Sequence, residues 1–124
     1  MYNKNFYEAH FYEAHINNTQ AAHTSNQSDV LAKFSTDNNV QTRRNVAENR
    51  NASPDTLACL ARDCDDGVRW RVASNPNTSS EILVQLSADF HSGVRWGVAT
   101  NDNTPPEIVA QINALEAAFQ VMES

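Results

Sequence analysis

Apolar residues recur along this chain in short pairs, not in long stripes. Val68 and Val72 stand four apart with Ala73 beside them, and Ile82, Leu83 and Leu86 follow after a polar interval. A spacing of three or four puts side chains on one helix face, a turn apart. The pattern predicts two short helices, each with a narrow apolar stripe, joined by a polar turn. The same order then returns as Val94, Val98 and Ala99, followed by Val109 and Ile112.

The step between Val68 and Val94 is 26 residues, and one step back from Val68 lies Thr42. Arg43, Arg69 and Arg95 fall in register, as do Val46, Val72 and Val98, then Asn49, Asn75 and Asn101. Leu57 with Leu60 and Leu83 with Leu86 complete the columns, and Ser28 to Asp37 matches the second half only, through Leu31 and Phe34. Three copies and a leading half therefore fill the middle of the chain. One copy cannot bury its own stripe, so a period of this length predicts stacked units sharing a continuous core. Turn chemistry agrees. Asn75 suits the left-handed conformation that ends a helix, and Pro76 forbids continuation. Thr78-Ser79-Ser80-Glu81 and Thr104-Pro105-Pro106-Glu107 have the capping-box arrangement, Ser53-Pro54-Asp55 is the same cap shifted by one, and Gly67 and Gly93 punctuate the return to the next copy. The Ala, Ser and Asn of the first segment predict a tightly packed helix, in part 3₁₀.

The phrase "VRWRVASNPNTSSEILVQLSAD", Val68 to Asp89, resembles the leucine-rich repeat variant family, whose units carry a VR-x-x-VA-x-NP core, a Leu-containing helix and an Asp. The resemblance covers roughly residues 28–115. It implies an all-α chain: a right-handed α-solenoid of short alternating α and 3₁₀ helices, with about three and a half 26-residue repeats. Arg50 and Asp102 depart from the pattern where Pro76 follows it. The family's namesake carries an iron–sulfur module with a cysteine cluster. Nothing similar occurs here, so no cofactor is expected.

The two ends differ from the middle. Tyr2, Phe6, Tyr7, Phe11 and Tyr12 crowd the start, where "FYEAHFYEAH" is a tandem duplication, and residues 16–27 read as a polar linker. Five exposed aromatics would form a costly patch, so residues 1–27 read as a cap on the first repeat or a dimerisation segment, plus linker. The repeat domain spans residues 28–115. Ile108, Ile112, Leu115, Phe119 and Met122 step by four, three, four and three, a heptad-like stripe on an extended C-terminal helix over residues 105–124. That helix either caps the last repeat or shares its stripe in a homodimer.

Composition narrows the function. The net charge is −6 and hydrophobic content is 40%, with a pI near 5.0. That balance disfavours binding through phosphate neutralisation, and adhesion to anionic membranes. All seven arginines fall between Val40 and Trp96, whereas from Gly97 onward there are four acids and no Lys or Arg. No apolar run is long enough for a membrane span and no signal pattern opens the chain, so a cytoplasmic protein is expected. Cys59 and Cys64 are too few for a disulfide framework.

Three constellations could carry chemistry. His10, His15 and His23, with Glu8 and Glu13, fail as a metal site, because a spacing of five sets two rings about 140° apart on a helix. Arg43, Arg69 and Arg95 each follow an aspartate by six residues, namely Asp37, Asp63 and Asp89. We read them as a ladder of ion pairs tying each copy to its neighbour and satisfying helix-end carbonyls, in preference to a ligand-binding row. Trp70 and Trp96 hold one register position, filled by Arg44 in the first copy, with Arg71 adjacent. Trp and Arg are the residues most enriched in binding hot spots, although indoles also pack over grooves between repeats. No nucleophile with a base, phosphate loop or paired carboxylates is evident, so no catalytic residues are expected. The expectation is a non-enzymatic module presenting Trp70, Trp96, Arg44 and Arg71 to a protein or peptide. A nucleic-acid binder using the arginine-rich face is the alternative.

Overall fold

The structure is a computed structural model and describes residues 21–23 and 27–123. The aromatic segment within residues 1–20, with its cap-or-dimer reading, lies outside the described residues. Every regular element among the described residues is an α-helix, and none is a strand. In order they are α1 (Ser28–Phe34), α2 (Val40–Glu48), α3 (Pro54–Leu60), α4 (Asp66–Ser74), α5 (Ser80–Leu86), α6 (Ser92–Ala99) and α7 (Pro106–Glu123).

The helices fall into two series. One starts at Val40, Asp66 and Ser92, the other at Ser28, Pro54, Ser80 and Pro106, and every step is 26 residues. Helix α2 packs most on α4, and α4 on α6, so members of the first series lie side by side. Their shared interior is narrow. Val46, Val72 and Val98 are fully buried, as are Val68, Val94, Ala47 and Ala73. The second series lends Leu31, Leu57, Leu60, Leu83 and Leu86 to the same core, and α7 adds Ile112. Each such side chain contributes about 1.5–3 kcal/mol on burial, which a lone unit with one open face would forfeit.

The expected 3₁₀ alternation is absent, since both series are α-helical. Side-chain caps hold the starts of most of these helices, and three-residue bonds occur only at helix ends, as in Asn49 N–H to Val46 O and Asn75 N–H to Val72 O at exits and Val94 N–H to His91 O at a start. The left-handed exit is also corrected. Asn49 and Asn75 are extended, both at φ −74 and ψ 126, and no described residue other than glycine has positive φ. Each Asn ends its helix through its side chain instead: Oδ1 of Asn75 accepts from Asn77 N–H at 2.8 Å.

Ser53 caps α3 as expected, accepting from Thr56 N–H, whereas the cap of α5 is Ser79 and not Thr78, accepting from Ile82 N–H. Thr78 and Thr104 are buried and donate from their hydroxyls to Val72 O and Val98 O, at 2.6 and 2.7 Å. Gly67 and Gly93 lie inside the first turns of α4 and α6, not between copies. The polar linker is corrected in part. Residues 21–23 are helical, Ala22 is fully buried, and Asn49 Nδ2 donates to Ala22 O and His23 O at 3.1 Å. Asn75 clamps Ala47 O and Asn49 O in the same way, so residues 21–23 stand where the exit of a preceding first-series helix belongs.

Candidate interaction surfaces

The arginine column works in two directions. Behind, Nη1 of Arg43, Arg69 and Arg95 donates to the backbone carbonyls of Asp37, Asp63 and Asp89 at 2.8, 2.9 and 2.8 Å. Ahead, Nε of the three donates to Asp63, Asp89 and Glu116, each at 2.8 Å. The aspartate carboxylates also accept the amides of Asn39, Asp65 and His91. Asp37 thus meets Arg43 through its carbonyl, while Asp63 and Asp89 give both groups to arginines. The hydrogen bond to Asp63 raises Arg43 above its ordinary pKa, and that to Asp89 does the same for Arg69. Burial pushes the Asp89 carboxyl up, but the hydrogen bonds from Arg69 and the His91 amide outweigh it and the net shift is down. Glu116 carried no sequence signal, because it is one residue off the 26-residue register.

The Arg44, Trp70, Trp96 column changes role from layer to layer. Arg44 grips Asp65 with Nε and Nη2 at 2.9 and 3.0 Å, and Asp65 caps α4 by accepting from Val68 N–H. The Arg44 hydrogen bond holds the Asp65 carboxyl below the usual carboxylate range, against the opposing effect of burial. A Cβ at Gly67 would sit 2.9 Å from Asp65 Oδ2 and 3.0 Å from Arg44 Nε, so a side chain there would push this ion pair aside. Arg44 is therefore bound to the next helix and does not join the tryptophans. Trp70 is half-buried against the core, whereas Trp96 is 61% exposed.

The two indoles line different concavities. Trp70 lies in a cleft of about 520 Å³ with Arg71, Glu48, Arg50, His23 and Pro76. The Arg71 guanidinium sits 5.2 Å from the Trp70 ring centroid, and its Nη1 donates to Gly67 O at 3.0 Å. Its Nε is buried without a hydrogen-bond partner, since the Glu48 carboxylate stays 3.9 Å away. In a chain of net charge −6, this cleft gathers two arginines and a histidine against one glutamate. Trp96 instead borders a hollow of about 410 Å³ between α6 and α7, with Ser92, Gly93, Ala99 and Asn113. Arg71 and Trp70 meet, while Trp96 stands apart from both. His23, Arg50 and Glu48 were missed. The available signal was the register itself, since His23 lies one 26-residue step before Asn49.

Cys59 and Cys64 are exposed free thiols. Among the described residues no group of three or more His, Cys, Asp or Glu is placed to hold a metal ion. None of their helices is long and apolar enough to cross a membrane. Compared with protein-family models, curated proteins and solved structures, the chain matches none.

Proposed function

We propose that the chain is a right-handed α-solenoid of the leucine-rich repeat variant type, with about three and a half 26-residue repeats. It acts as a non-enzymatic protein-interaction module, whose binding site is the Trp70–Arg71 cleft. The occupant is a peptide segment that sets an apolar group on Trp70 and a carboxylate on Arg71. The two-series helix order with its constant step supports the architecture. The observation that carries the function is the Arg71 guanidinium stacked 5.2 Å from the centroid of a half-buried indole, side by side in an open cleft. A carboxylate reaching the accessible edge of Arg71 would gain charge-assisted hydrogen bonds in place of the long 3.9 Å contact with Glu48. We place it in the cytoplasm, a setting in which the exposed thiols of Cys59 and Cys64 would stay reduced.

The arginine-face reading for nucleic acid is weaker, because Arg43, Arg44, Arg69 and Arg95 are already neutralised by Asp63, Asp65, Asp89 and Glu116. Selection from a displayed random-peptide library tests the proposal. Enriched peptides should carry Asp or Glu near an apolar residue and bind Arg71→Glu at least about 30-fold more weakly, with an unchanged melting temperature. Peptides that bind Arg71→Glu and Trp70→Phe as well as the parent would sink it. Tight binding of an oligonucleotide that collapses with salt would favour the alternative.

A further inference from the structure

Trp96 poses a separate question. On α4 the face made by Trp70, Ala73 and Ser74 meets α6, where a Cβ on Gly97 would lie 3.0 Å from Ala73 Cβ, 3.1 Å from Ser74 Oγ and 3.4 Å from Trp70 O. One step on, Trp96, Ala99 and Thr100 form the same face on α6. No helix of the first series follows it among the described residues, and α7 runs on to Glu123. Beyond Ile112 the stripe on α7 emerges, leaving Leu115 45%, Phe119 46% and Met122 79% exposed. The result is a stacking face next to an apolar helix end.

We infer that this α6–α7 face binds the same face of a second copy of the chain about a two-fold axis. This does not rest on the peptide cleft. Three observations select a second copy. First, a two-fold contact needs projection and recess in one patch. Trp96, 61% exposed, projects beside a hollow of about 410 Å³ that the small residues Ser92, Gly93 and Ala99 help to line and that is large enough for an indole. Second, the one charged side chain lining the hollow, Glu116, is neutralised by Arg95 at 2.7 Å, so two copies bring no unpaired like charges together there. Third, at roughly 200 Å² per large side chain, the exposed parts of Trp96, Leu115, Phe119 and Met122 amount to about 450 Å². A stable interface takes about 800 Å² from each partner, and its core is the apolar part. Asn113 and Gln120 provide the polar rim.

Analytical ultracentrifugation of the full chain at about 50 μM should give twice the 13.8 kDa protomer mass. Phe119→Glu should weaken association at least about tenfold while far-UV circular dichroism stays unchanged, and so should Gln120→Arg, which leaves the apolar residues intact. Arg71→Glu should leave the dimer as it is, so this inference and the cleft proposal fail separately. A monomer at that concentration overturns the inference. So does a dimer that survives both α7 variants, or one lost on Phe11→Ser and kept in Phe119→Glu.

Discussion

Replacing Asn75 by alanine tests the link between layers at its most buried point. Asn75 is 2% exposed, and its Nδ2 donates to Ala47 O at 2.7 Å and Asn49 O at 2.9 Å. Its Oδ1 accepts from Asn77 N–H at 2.8 Å. Alanine removes all three bonds, and water cannot replace them without opening the α2–α4 contact. Asn49 O keeps a second donor, the amide of Ala52 at 3.2 Å, so the main cost falls on Ala47 O. One orphaned carbonyl at about 1–3 kcal/mol, plus two lost bonds near 1 kcal/mol each, gives about 3–5 kcal/mol. At roughly 4–8 °C per kcal/mol for a small domain, the melting temperature should fall by at least about 12 °C. Asn103 provides the control. It makes two comparable bonds, to Pro76 O and Thr78 O, but is exposed. Its alanine variant should lose no more than about 1 kcal/mol, because water takes over. Urea titration followed by circular dichroism reads both variants. An Asn75→Ala loss below about 1 kcal/mol with an unchanged denaturant slope would refute the reasoning. Asn75→Asp adds a sharper check. It keeps the acceptor and points charge at two carbonyls, so it should be at least as damaging as alanine.

Arg69→Ala should cost about 3 kcal/mol in urea titrations, because it strands the nearly buried Asp89 carboxylate and the Asp63 carbonyl. Arg95→Ala should cost less, since its partner Glu116 is 40% exposed. Acid should destabilise the fold in a defined window. Asp65 and Asp89 titrate below their ordinary value of 3.8, so the unfolded chain binds more protons there. Their contribution is complete above that value and is lost as pH falls through the folded values. The urea midpoint should drop between pH 4 and pH 2, and Asp65→Asn should shrink that drop. Gly97→Val should destabilise by about 2 kcal/mol or more, because α4 leaves a Cβ only 3.0 Å from Ala73 Cβ. Gly97→Ala should be nearly neutral in the same titration, because a helix-propensity gain of about 1 kcal/mol offsets milder crowding.

The register was legible in the sequence because the stack imposes a chemical demand at fixed positions. Val72 must meet Val46 and Val98, so these residues repeat in type as well as place. The arginine column was legible for the same reason, and its partners at Asp63 and Asp89 lie on the same register. Residues 21–23 were not legible, because what they supply to Asn49 is backbone carbonyl, which any residue carries. Helix exits were misread because Asn has two ways to end a helix, and composition alone does not choose between αL and a side-chain clamp. The cap of α5 was misread by one residue, although Ser53 caps α3 as expected, because Thr and Ser are interchangeable in a capping motif. Only burial separates them, and Thr78 is inside while Ser79 is at the rim. The tryptophans looked equivalent, since a register reports position within a unit and says nothing about what stands beside it.

That last distinction gives the stack a direction. The asparagine clamps all reach backward: Asn49 to residues 22 and 23, Asn75 to 47 and 49, and Asn101 to 73 and 75. Each exit is therefore sealed by the unit that follows it. The N-terminal exit at residues 21–23 is sealed by Asn49, although its own unit has no repeat signature. At the other end α7 runs straight on, and among the described residues no asparagine of a following unit reaches the exit of α6. Arg95 then takes Glu116 from α7 in place of a third aspartate, which closes the arginine column but not the face carrying Trp96. Among the described residues the arginine column is thus closed at the α7 end, while the exit of α6 has no asparagine clamp and the face carrying Trp96 remains bare. Satisfying hydrogen bonds without covering apolar surface leaves the hydrophobic term still to be gained. A chain built in this way has a physical reason to associate at its α6–α7 end.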